Sequence, residues 1–112
     1  MGSGKAANTH VMYQTVNHEH LDSLVYWAKN GDDFPESGVN LVECESGKWF
    51  VEVDHGTEFD NVTGISKHDI SPFVEPTFFS NEDAARKFAY DCIKTVYPEL
   101  KGKDFDEYYE ED

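Results

Sequence analysis

The sequence predicts an α+β fold, a small antiparallel sheet with two helices packed on one face, and three observations predict it. Two stretches carry apolar residues at helical spacing, one stretch reads as a β-hairpin, and the connections are punctuated by glycine and proline. The expected order is β-α-β-β-(β)-β-α, followed by an acidic disordered C-terminal tail. With 112 residues the chain has room for one core, since domains usually run about 100 to 150 residues. Residues 1–8 are expected as a disordered segment or cloning remnant, 9–98 as a single α+β domain and 99–112 as the tail.

Taken in order, Val11, Tyr13 and Thr15 alternate with polar neighbours and predict a strand near 10–16. Asn17 then offers an N-cap. Leu21, Leu24, Val25 and Ala28 fall at i, i+3, i+4 and i+7, one face of a helix that closes on Lys29, Asn30 and Gly31. Pro35 and Gly38 break the following loop. Val39–Glu45 and Lys48–Asp54 flank Ser46-Gly47, and a two-residue turn there pairs Cys44 with Trp49 and Val42 with Val51. In that register Cys44, Trp49, Val42, Val51 and Val53 form the core face, while Phe50, Val39 and Leu41 are left on a mostly acidic one.

Residues 55–75 are long for a structureless loop, so a short strand or helical turn is expected around Val62–Ile70. Pro76-Thr77-Phe78-Phe79 reads as a short strand. Ser80 to Asp83 forms a capping box, with Phe79 placed to staple onto Ala84. Ala85, Phe88, Ala89, Cys92, Ile93 and Val96 continue as a helical stripe that stops before Pro98.

Charge narrows the function classes. Asp and Glu number 23 against 9 Lys and Arg, a net charge of -14, whose field repels phosphate backbones and anionic lipid. Direct nucleic-acid and membrane binding are therefore not expected, and a basic protein surface is the complementary partner. Apolar and aromatic residues, 38% and 14% of the chain, are enough to build a core despite the charge. No apolar run approaches the roughly 20 residues that span a bilayer. Two cysteines, Cys44 and Cys92, are too few for a disulfide scaffold and fit a cytoplasmic protein, although a single strand-to-helix bridge stays open.

Chemistry has little support in the motifs. On a helix, His18 and His20 would sit about 200° apart and could not share an ion. Asp54-His55 and His68-Asp69 are loose pairs rather than a nucleophile with an oriented base. Asp54 to Asp60 lacks the alternating ligands of a calcium loop. Phosphate loops, CxxC, HExxH and GxSxG are absent from the sequence, so the expectation is no enzyme, no metal site and no cofactor. Asn61-Val62-Thr63 is a glycosylation sequon, relevant only to a secreted chain.

The tail carries the strongest signal. Asp104 to Asp112 contains six acids and no base, and Phe105, Tyr108 and Tyr109 stand at i, i+3 and i+4, an aromatic face bordered by carboxylates if the segment becomes helical. Asp104, Phe105, Asp106, Glu107, Tyr108, Tyr109, Glu110 and Glu111 are the expected partner-binding set. Trp27, about 120° off the first helix's apolar face, joins them as a candidate anchor. In size, charge and tail, the chain resembles the small acidic inhibitors with which phages and mobile elements block nucleic-acid-binding defence proteins, carboxylates standing in for phosphates. That resemblance implies a protein-binding inhibitor whose partner handles nucleic acid. The same residues also fit a secreted ligand whose acidic tyrosine tail enters a basic exosite, or a soluble domain whose charge encodes no partner.

Overall fold

The computed structural model describes residues 13–29, 36–67 and 75–110. They form a small α+β fold, a three-stranded antiparallel sheet with three helices. Strand β1 (Thr15–His20) leads into helix α1 (Asp22–Ala28), then come β2 (Gly38–Cys44), β3 (Trp49–His55), helix α2 (Glu82–Val96), a 3-10 turn (Pro98–Leu100) and helix α3 (Asp106–Glu110). The sheet order is β1-β2-β3.

The first strand runs later than its alternation suggests. Asn17 does not cap a helix but lies within β1, where His18 pairs with Val42 and His20 with Asn40. Pairing with β2 satisfies these backbone groups in extended form, which a local capping preference cannot match. An irregularity in the pairing between Thr15 and Asn17 leaves Val16 as the extra residue, 59% exposed. The turn into α1 is held by the Leu21 amide donating to Val39 O at 3.0 Å. Leu24, Val25 and Ala28 are buried as their spacing predicts; the expected stop at Asn30 and Gly31 lies outside the described residues.

The hairpin corrects the predicted register by one residue. Gly47 donates to Cys44 O at 2.9 Å and Cys44 donates to Lys48 O at 2.8 Å, so Glu45, Ser46 and Gly47 form a three-residue turn with Gly47 at φ 91°. A two-residue turn of the primed type would force Ser46 to positive φ as well. Glu43 therefore faces Trp49, Val42 faces Phe50 and Leu41 faces Val51. Because side chains alternate, the one-residue slip exchanges the faces. Val39, Leu41, Val51 and Val53 join the main core with the buried residues of α1 and α2, while Val42, Cys44 and Phe50 form a second cluster with Tyr13 and Phe78 on the opposite side. The apolar residues stranded by the predicted register thus all find cover.

The tract after β3 closes the free edge of that strand. Ser66 exchanges backbone bonds with Val51 and Val53, and Phe79 with Trp49, each as an isolated bridge. The short strand predicted at 76–79 is thereby reduced to Phe79 alone. Phe59 and Ile65 from this tract are buried in the main core. Helix α2 begins one residue later than the capping box places it: Asn81, not Ser80, is the N-cap, its Oδ1 accepting from the Ala84 amide at 2.9 Å. Phe79 packs on Phe88, ring centroids 5.2 Å apart. The helix buries Ala85, Ala89, Cys92 and Ile93 and ends at Val96.

The expected disordered tail is folded over its described part. Phe105 is 2% exposed, seated edge-on against Tyr90 with ring centroids 5.1 Å apart. Helix α3 follows, its first turn supported by Asp104 Oδ1 accepting from the Asp106 amide at 3.0 Å. A short acidic peptide would not hold this conformation alone. Apolar burial against α1 and α2 outweighs the repulsion between its carboxylates, which stay in water.

Candidate functional site

Two places gather functional groups: the docked C-terminal helix and a polar corner at one end of the sheet. The sequence singles out the residues of the first, and only folding assembles the second.

At α3 the helical spacing of the aromatic residues is correct, but the face they form turns inward. Tyr108 packs on Trp27 with centroids 5.6 Å apart, and Lys103 Nζ lies 4.5 Å from the centre of the same indole. Trp27 is therefore partly covered from within the chain and remains half-buried. Lys94 Nζ sits 4.9 Å over the Phe105 ring. Tyr109, 45% exposed, is the aromatic of the set that remains at the surface. Around it Asp104, Asp106, Glu107 and Glu110 are all exposed. Glu111 lies outside the described residues.

Tyr109 is tied to the domain through Arg86, the only arginine in the chain. Arg86 donates through Nη1 to the Tyr109 hydroxyl at 2.7 Å and through Nη2 to Glu19 Oε1 at 2.7 Å, while the Tyr109 hydroxyl donates to Glu19 Oε2 at 2.6 Å. Glu82, one turn before Arg86, adds a further ion pair. Burial pulls the arginine's pKa down, but the hydrogen bonds to Glu19 and Glu82 more than reverse this, and it is raised overall. Burial, then the bond to Glu19, raises the pKa of Tyr109. This ring fastens α3, α2 and β1 to one another, with both Glu19 oxygens in use. A single arginine in so acidic a chain is the signal from which such a node could have been inferred.

The second place lies where β1 ends, α1 begins and β3 ends. Asp22, Asp54 and His55 each bring one ligand-capable atom within 4.8 Å of the others. His55 Nδ1 is 3.3 Å, and His20 Nδ1 3.5 Å, from the same Asp54 Oδ2. The separation of His18 and His20 predicted for a helix does not occur: on a strand they share a face, their rings 5.0 Å apart. Neighbours such as Asp54 and His55 would normally point to opposite sides of a strand. Here the pairing of β2 with β3 shifts between Gly38 and Val39, so that Asp54 and His55 together oppose one residue, and the bulge lets both side chains converge.

The floor of this corner is buried and polar. Asn40, 4% exposed, donates through Nδ2 to Glu52 Oε2 at 3.1 Å and reaches Asp54 Oδ1 at 3.5 Å. Its Oδ1 is buried with no hydrogen-bond partner among the described residues. Gly38 admits the cluster sterically, because a Cβ there would lie 2.7 Å from His55 Cε1 and 3.2 Å from Asp22 Cβ. Asp22 and Asn40 carry no motif in the sequence, and only strand pairing brings them to the histidines.

The two thiols lie on different sides of the sheet, Cys44 in the smaller cluster and Cys92 in the main core, and both are free. The bridge left open by the sequence does not form. Burial pushes the Cys92 thiol up to about 11 and raises Cys44 as well, which suits inert core thiols rather than nucleophiles. No helix among the described residues is long and apolar enough to cross a membrane. No family model matches the chain, and no curated protein or solved structure matches it.

Proposed function

We propose that this chain is a small acidic binding module that docks a basic protein surface, with a nucleic-acid-binding protein as the fitting partner and the carboxylates of Asp104, Asp106, Glu107 and Glu110 as the contact set. The observation that carries this reading is the orientation of α3: its aromatic residues anchor it inward, so its acids are held outward on an ordered element. A net charge of -14 adds long-range steering toward a cationic partner. Holding the array in place before contact lowers the ordering cost that a disordered tail would meet on binding. Tyr109 at the rim supplies an aromatic contact next to the acids, and the action is inhibitory where that basic surface is the partner's own nucleic-acid site. The alternative of a secreted ligand drew its structural support from a Cys44–Cys92 bridge, and the two free thiols remove that argument.

The test compares immobilised wild-type protein with a quadruple variant, Asp104→Asn, Asp106→Asn, Glu107→Gln and Glu110→Gln, which keeps shape and the aromatic anchors. Partners captured by the wild type should be released between 50 and roughly 200 mM salt, displaced by duplex DNA, and lost by the variant. Capture that is equal for both proteins, or indifferent to salt and DNA, refutes the reading.

A further inference from the structure

We infer that Asp22, Asp54 and His55 form a binding site for a divalent transition ion of the zinc type, with an open fourth position. Zinc bonds to nitrogen and carboxylate oxygen run about 2.0 to 2.1 Å, so the edges of its tetrahedron are roughly 3.3 to 3.4 Å. His55 Nδ1 and Asp54 Oδ2, at 3.3 Å, already stand one such edge apart. Asp22 brings the third ligand atom within 4.8 Å of both from the first turn of α1. One imidazole and two carboxylates favour a borderline transition ion over calcium or magnesium, which prefer all-oxygen shells.

Three further observations support an ion here. Two carboxylates approach one another in a chain of net charge -14, and among the described residues no lysine or arginine pairs with either; a cation between them relieves that repulsion. Asp54 is oriented from behind, with the buried Asn40 amide at its Oδ1 and His20 Nδ1 at its Oδ2, the outer contacts that ligating carboxylates usually have. Asn40, whose Nδ2 reaches Asp54, also keeps a buried Oδ1 with no hydrogen-bond partner among the described residues. The bulge at Asp54 and His55 and the bare Cα of Gly38 are the backbone features that let the ligands meet.

The probe is Zn2+, titrated into the metal-free protein against a chromogenic chelator, with thermal midpoint as the second readout. The expected result is one equivalent bound, a midpoint that rises with Zn2+, and at least a tenfold weaker affinity in Asp54→Asn and His55→Ala; Asp91→Asn, at an exposed carboxylate of α2, should bind as the wild type does. Both site variants change partly exposed side chains, and their metal-free midpoints report whether they fold. If a variant unfolds, Asp22→Asn takes its place with the same expectation. No binding by the wild type overturns the inference. So does equal Zn2+ binding by wild type and site variants, or Ca2+ and Mg2+ binding as tight as Zn2+, which would mark general attraction to an acidic surface.

Discussion

Replacing Phe105 with alanine asks directly whether the C-terminal segment is part of the fold. The ring is 2% exposed, belongs to the main core and meets Tyr90 edge-on, with Lys94 over its face. Phe→Ala in a packed core costs about 3 to 5 kcal/mol. The five residues of α3 can relax toward the vacancy, which places the expected loss near 3 kcal/mol. For a domain of this size that corresponds to a midpoint lowered by roughly 12 to 24 °C. Urea and thermal unfolding followed by circular dichroism measure the loss, and tryptophan emission adds a local reading, because freeing α3 uncovers Trp27. Truncation after Lys103 should match or exceed the point variant, whereas Glu107→Gln on the outer side should stay within about 0.5 kcal/mol. A Phe105→Ala change below about 0.5 kcal/mol with unshifted emission would refute the docking. It would also return the aromatic face to solvent, where a partner could take it.

Arg86→Met strips the donors from Glu19 and Tyr109 in a half-buried setting, and unfolding should register a loss of about 1 to 3 kcal/mol; Arg86→Lys should recover only part of it, since one compact ammonium lacks the spread with which Nη1 and Nη2 reach Tyr109, Glu19 and Glu82. Gly56 sits at φ 84°, where a Cβ would lie 2.0 Å from Ser37 Oγ and 2.4 Å from Glu36 O, so Gly56→Ala should cost at least about 2 kcal/mol by chemical denaturation. Cys92 at about 11 and Tyr97 at about 12 both stand above their ordinary 9.0 and 10.0, each raised first by burial and Tyr97 also by its bond to Glu58. Folding then retains protons that the unfolded chain releases, so their stabilisation is complete below about pH 9 and declines as pH rises toward 11 and 12; a denaturation series from pH 8 to 11 that stayed flat would contradict this. Native Cys92 should likewise resist a thiol reagent at pH 8 until denaturant is added, and prompt labelling of two thiols would contradict its burial.

Helix positions were legible because one helix face depends on spacing within a single segment. Leu24, Val25 and Ala28, and Ala85, Ala89, Cys92 and Ile93, are buried as their periods predict. The hairpin was legible as a hairpin, but its faces were not. A three-residue turn in place of two moves every side chain across the sheet, and the choice between them depends on which register covers Leu41, Val42 and Phe50 together. Asn17 likewise reads as a cap until β2 offers β1 a partner. At the candidate sites, the acids and aromatics of the C-terminal segment could be named in advance, while the direction they face could not.

By itself the sequence determined the chain's strong negative charge, its α+β class, its two amphipathic helices and the helical spacing of Phe105, Tyr108 and Tyr109. These are sums over residues or short-range periods, and they need no knowledge of distant neighbours. Tertiary structure alone decided that the aromatic face closes on Trp27 and Tyr90, that one arginine binds Glu19 to Tyr109, and that Asp22, Asp54 and His55 meet at one corner. Each of these joins residues far apart in the chain, and the energy of such a contact exists only once packing and strand register have brought its partners together.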